Sequence, residues 1–96
     1  MPGYETWSDA ERKEVNEVLE TGILMRYGFD GPRKGIWKAK ELEEAICQTF
    51  GCKHSQLVSS GTAALTTAMS ALGIGYGDEI ILPTFTFVAS FEAVIS

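Results

Sequence analysis

Residues 55–95 alternate two short apolar runs with two helix-like periods, and this alternation constrains the fold more than any other feature. Ser55-Gln56-Leu57-Val58-Ser59 reads as a short strand. Leu65, Ala68, Met69 and Leu72 then recur at helical spacing over 62–72, and Gly73 supplies a stop. Ile74-Gly-Tyr-Gly-Asp78 is a turn, Glu79-Ile-Ile-Leu82 a second strand halted by Pro83, and 85–95 a further helix. Strand, helix, strand, helix is a βαβα unit with parallel strands and a right-handed crossover. Two parallel strands alone do not make a stable sheet in water. The pattern also shows no stop signal through Phe91-Glu-Ala-Val-Ile-Ser96. These 96 residues are therefore expected to be the N-terminal part of something larger, with a self-contained mini-domain or an obligate oligomer as the alternative.

Ahead of this unit the pattern predicts two helices. Ser8-Asp9-Ala10-Glu11 has the form of a capping box, Val15, Val18 and Leu19 follow at helical spacing, and Gly22 is a natural stop, giving a helix over 9–21. Glycines 22, 28, 31 and 35 with Pro32 make 22–36 a long loop. A second amphipathic helix spans 38–50, with Leu42, Ala45, Ile46 and Phe50 as its buried stripe and Lys40, Glu41, Glu43 and Glu44 mostly outside. The division expected is a helical segment, 1–53, followed by the start of an α/β domain, 54–96.

The function classes narrow quickly. A net charge of −5 and a pI of about 4.7 leave no basic stripe for nucleic acid and no attraction to an anionic membrane. No apolar run approaches a membrane span, and MPGYETWSDAERKE is too polar for a secretory signal. Cys47 and Cys52 then read as reduced thiols of a cytoplasmic protein. With His54 they offer only three donors, short of a closed zinc site, so no metal is expected. The acidic pairs Glu43-Glu44 and Asp78-Glu79 read as a solvated helix face and a strand entry.

The junction Val58-Ser59-Ser60-Gly61-Thr62-Ala63-Ala64 is the candidate site. It lies at the carboxyl end of a parallel strand, where open α/β sheets bind ligands. The first N–H groups of the following helix have no internal partner and favour an anion, while glycine allows close approach. A phosphate cradle fits, and so does a plain N-cap by Ser60 or Thr62. There is no Gly-Lys-Ser/Thr ending and only one glycine in the turn, so the two common nucleotide-phosphate motifs are absent. Gly73-Ile-Gly-Tyr-Gly77 precedes its strand instead of following it and stays a turn.

Ser-Ser-Gly-Thr-Ala (59–63), Gly-Ile-Gly-Tyr-Gly-Asp-Glu (73–79) and Pro-Thr-Phe-Thr-Phe-Val-Ala (83–89) occur in this order. Together they resemble the sugar aminotransferases of the DegT/DnrJ/StrS type, densely over 54–96 and more loosely over 1–53. The resemblance implies the aspartate-aminotransferase-like fold of type I pyridoxal-phosphate enzymes. It also implies a homodimer acting on a keto sugar with an amino-acid donor. Gly61, Thr62 and Ala63 match positions that hold the cofactor phosphate, and Phe87 matches the aromatic that stacks on the pyridine ring. Phe85 and Phe91 read as core aromatics of the last helix, which is also the plain reading of Phe87. In the family the Schiff-base lysine and the acidic partner of the pyridine nitrogen lie further downstream. Lys13, Lys34, Lys38, Lys40 and Lys53 match neither, so this segment carries no catalytic residue and by itself is expected to be inactive. Some relatives carry histidine for the lysine and dehydrate sugars. A non-catalytic phosphate-binding module is the alternative from another class. The long link 22–37 resembles the subset acting on acidic eight-carbon keto sugars, where Arg26 or Arg33 would meet a carboxylate. The competing reading is a solvated basic loop.

Overall fold

The computed structural model describes residues 3–96, and it divides into two compact units, one up to Ser55 and one from Gln56 to Ser96. The first unit holds α1 (Asp9–Thr21) and α2 (Lys38–Phe50); the second holds α3 (Gly61–Ala71) and α4 (Val88–Ile95). No helix among the described residues is long and apolar enough to cross a membrane.

Local chemistry sets the helix ends. The Ser8 backbone N–H donates to Glu11 Oε2 at 2.7 Å and the Ser8 hydroxyl donates to the same oxygen at 2.6 Å, while Ala10 N–H donates to Ser8 Oγ at 3.3 Å. This is the expected capping box, and α1 then runs to a left-handed Gly22 (φ 67°). Gly51 closes α2 in the same way, at φ 68°. Past the end of α3, Ile74 N–H returns to Met69 O and Gly73 N–H to Ser70 O, both at 3.0 Å, with Gly73 at φ 76°. That is a Schellman closure, and only glycine adopts its left-handed corner without strain.

In the first unit, side-chain polar groups do the binding. Lys38, at the start of α2, meets Glu14 and, at 2.5 Å, Glu17, both on α1. The ammonium holds Glu17 below the usual carboxylate range, by hydrogen bonding first and charge second. The loop between the helices is framed by Arg26 and Arg33. Arg33 is 3 % exposed and donates Nε to Gly28 O at 2.9 Å and Nη2 to Met25 O at 2.7 Å. Its Cζ lies 4.2 Å from the centre of the Trp37 ring, whose indole N–H donates to Arg26 O at 2.8 Å. Arg26 Nη2 reaches Glu43 Oε2 at 2.5 Å.

This corrects the expected face of α2. Glu43, placed outside by the pattern, is buried, whereas Leu42 is 50 % and Phe50 78 % exposed, and only Ile46 of the stripe is half-buried. Periodicity reports which face is apolar; nothing in the described residues covers that face, while the arginine loop does cover Glu43. Arg33 is likewise no solvated loop side chain.

In the second unit α3 packs on α4. Thr66, Met69 and Ser70 of α3 and Ala93 to Ile95 of α4 line one cavity of about 530 Å³ with the 74–78 turn. The C-terminal halves of both helices thus border the same cavity. Ala93 is the one buried apolar residue among those described. The expected strands at 55–59 and 79–82 do not form; among the described residues there is no β-ladder. Ile81 is fully exposed while Ile80 and Leu82 are half-buried. One side of the segment meets the unit and the other meets nothing, and a strand without neighbours has no hydrogen-bonding partner. The helix expected from residue 85 begins at Val88, and Phe85 and Phe91 are exposed, not core. The 73–77 turn forms as expected, with Gly75 N–H donating to Asp78 Oδ2 at 2.7 Å and Asp78 N–H to Gly75 O at 3.0 Å.

Candidate functional site

Ser60 stands just ahead of α3 in extended backbone (φ −161°, ψ 165°) and caps it: Ala63 N–H donates to Ser60 Oγ at 3.0 Å and Ala64 N–H to Ser60 O at 3.0 Å. Of the four N–H groups that open this helix, Ser60 to Ala63, the Ser60 hydroxyl occupies that of Ala63, while Ala64 N–H makes the first ordinary bond of the helix. The N–H groups of Gly61 and Thr62 are the two between the cap residue and that bond. The Thr66 hydroxyl donates to the carbonyls of Thr62 and Ala63, at 3.3 and 3.1 Å, so it stiffens this turn without consuming an N–H.

Of the two readings of the junction, the cap is the one seen directly. Ser60 is a cap, and the cap leaves two donors at the positive end of the helix dipole. Gly61 provides the test of fit. Its φ lies outside the left-handed region, and a Cβ built on it meets nothing within 4 Å. Among the described residues no turn and no packing requires a glycine there. The space in front of the backbone is open, with room for a ligand to lie against it. The residues fit a phosphate group.

Phe87 is the N-cap residue of α4 (φ −69°, ψ 147°) and is 77 % exposed. Its carbonyl accepts Ser90 N–H at 3.1 Å, and the Thr86 and Ser90 hydroxyls meet at 3.2 Å across the first turn. Phe87 and the Gly61–Ala63 turn thus stand at the N-termini of the two helices of one unit. The exposed Phe87 ring is not a core aromatic of that unit.

Arg26 and Arg33 belong to the other unit and are engaged there, with Glu43 and with backbone carbonyls. Sequence reasoning missed Glu43 as the Arg26 partner. No local signal marks a pair 17 positions apart. Among the described residues no group of His, Cys, Asp or Glu could hold a metal ion.

Residues 6–96 match the DegT/DnrJ/EryC1/StrS aminotransferase family. The chain is 40 % identical over 96 residues to GDP-perosamine synthase of Vibrio cholerae, covering 99 % of this chain and 24 % of that protein. It is 34 % identical over 93 residues to 3-amino-5-hydroxybenzoate synthase of Amycolatopsis mediterranei (strain S699), covering 97 % of this chain and 22 % of that protein. The chain spans about a quarter of the length of these relatives. With 91 of its 96 residues matched, the chain belongs to the DegT/DnrJ/EryC1/StrS aminotransferase family, whose fold is that of the pyridoxal-phosphate aminotransferases.

Proposed function

We propose that this chain is the cofactor-cradling part of a pyridoxal-phosphate-dependent sugar aminotransferase. The whole enzyme would be a cytoplasmic homodimer that moves an amino group from glutamate or glutamine to a keto sugar or sugar nucleotide, for cell-surface polysaccharide synthesis. Residues 54–96 open the cofactor-binding domain and 1–53 precede it as a helical segment. The observation that carries the reading is that the two packed helices of one unit begin with an open N-terminal turn at Gly61–Thr62 and an exposed aromatic ring at Phe87. The GDP-perosamine synthase relative supports a sugar nucleotide as the acceptor class.

Each residue has a definite task. The Gly61 and Thr62 N–H groups bind phosphate oxygens, and the missing Gly61 side chain lets them approach closely. Ser60 orients that turn by holding Ala63 N–H. The Thr62 hydroxyl adds a charge-assisted hydrogen bond. The Phe87 ring covers one face of the pyridine ring and excludes water from it. Pyridoxal phosphate, when bound, supplies the electron-withdrawing ring that makes amino transfer possible. The proton-shuttling lysine is assigned to residues outside this chain.

The test uses the full-length protein with pyridoxal phosphate. Expected are an absorbance band near the visible edge and amino transfer from glutamate or glutamine to a nucleotide-linked keto sugar. Thr62→Val and Phe87→Leu should each weaken cofactor retention roughly tenfold in equilibrium dialysis, the loss of one charged hydrogen bond or one stacking contact. Absence of both the band and the transfer refutes the reading. Cofactor retention with dehydration in place of transfer would reassign the enzyme to the histidine-bearing branch.

A further inference from the structure

The two cysteines stand in a relation that the proposed function does not use. Gly51 ends α2 in the left-handed conformation (φ 68°, ψ 24°). Where a helix closes on such a glycine, the next residue folds back over the last turn, and its side chain meets that of the residue five positions earlier. Those two positions here are Cys52 and Cys47. Both are free; Cys47 is half-buried and Cys52 exposed. Cys52 is among the groups that act on the Cys47 thiol. Burial pushes the Cys47 thiol up from its ordinary pKa. The neighbouring thiol and the charges of Glu43 and Glu44 push the same way. An exposed thiol therefore stands in front of a shielded and less ionised one.

We propose that Cys47 and Cys52 form a reversible dithiol–disulfide modification site at the C-terminal cap of α2, oxidised by a small soluble disulfide such as oxidised glutathione. The Cys52 thiolate attacks one sulfur of that disulfide, forming a mixed disulfide and expelling one glutathione thiolate. Cys47, losing its proton to solvent, then attacks Cys52 Sγ. The Cys47–Cys52 bond forms, the mixed disulfide breaks, and the second glutathione leaves as a thiolate that takes up a proton. The protein gives up two electrons and two protons, and oxidised glutathione becomes two thiols. Excess dithiol reverses the sequence.

The full chain is reduced, freed of reductant, incubated with oxidised glutathione and digested with trypsin. Residues 41–53 form one tryptic peptide that contains both cysteines. Expected is that peptide lighter by two hydrogens, restored by dithiothreitol, with little mixed disulfide accumulating. Cys47→Ser should retain glutathione on Cys52. Cys52→Ser should react about tenfold more slowly, because Cys47 is shielded and less ionised. The proposal is overturned if the wild-type peptide carries two glutathiones, if disulfide-linked dimers form instead of the ring, or if neither cysteine reacts.

Discussion

Arg33 offers the sharpest test of how the 22–36 loop is held. Its guanidinium donates to two loop carbonyls, at 2.9 and 2.7 Å, and stacks 4.2 Å from the Trp37 ring centre while almost wholly buried. A hydrogen bond from a charged donor is worth about 1.5–3 kcal/mol and a desolvated cation–π contact about 2 kcal/mol. The gross contribution is therefore about 5–8 kcal/mol. Burying the guanidinium without a carboxylate on it costs several kcal/mol, and Arg33→Ala removes that cost too. The net loss on substitution is about 2–3 kcal/mol. Every partner of Arg33 lies between Met25 and Trp37, so the loss should appear as local opening of the loop. Amide exchange over 25–36 should accelerate about 30- to 150-fold, at about 1.4 kcal/mol per tenfold. Exchange in α1 and α3 should change far less. Arg33→Lys keeps the charge but has no fork to reach both carbonyls, and should recover less than half of the protection. Hydrogen exchange read by mass spectrometry on the full chain measures all three proteins. A change under about threefold in Arg33→Ala, or wild-type protection in Arg33→Lys, would refute the reasoning.

Two further perturbations act on the same unit. Arg26→Met removes the cation 2.5 Å from the buried Glu43 carboxylate. Breaking a buried pair costs about 3–5 kcal/mol, and the 29 % exposure of the Arg26 side chain brings the expected loss to about 1–3 kcal/mol. The denaturation midpoint measures it, Arg26→Met with Glu43→Gln should recover part of the loss, and an unchanged midpoint in the single variant sinks the idea. The Lys38 cluster predicts a pH dependence. Glu17 titrates below its ordinary value of 4.5, so its contribution is present above that value and is lost as pH falls through the depressed one. Lys38 is raised above the ordinary lysine range, chiefly by the hydrogen bonds it donates to Glu14 and then Glu17, so its contribution is lost only in strong alkali. Stability should be flat near neutrality and fall in acid, and Lys38→Met should flatten the acid fall. An identical acid profile in that variant would show the cluster contributes nothing.

What was legible in the sequence follows from the range of the forces involved. The ends of α1 and α2 were readable because caps are chosen within four or five residues: Ser8 with Glu11, then Gly22 and Gly51. The Ser60 cap at the candidate site was readable for the same reason, because Ser60, Gly61 and Thr62 are neighbours in one turn. The burial of Glu43 and Arg33 was not readable. A pattern of apolar residues states which face would be covered if a cover existed, and it is silent about which polar pair a distant loop brings in. The alternation at Ile80, Ile81 and Leu82 shows the same limit. Propensity made these residues strand formers, but a strand is a relation between chains of hydrogen bonds, and no neighbour stands beside them here. Phe87 lies between the two cases. Its ring was visible in the sequence, whereas its use depends on where α4 begins. The start at Val88 leaves Phe87 as the N-cap residue, in extended backbone and exposed. Had α4 begun at residue 85, Phe87 would sit inside its first turn with backbone fixed by the helix, a helical side chain in place of a free ring. The late helix start is thus the structural feature on which the proposed stacking role rests.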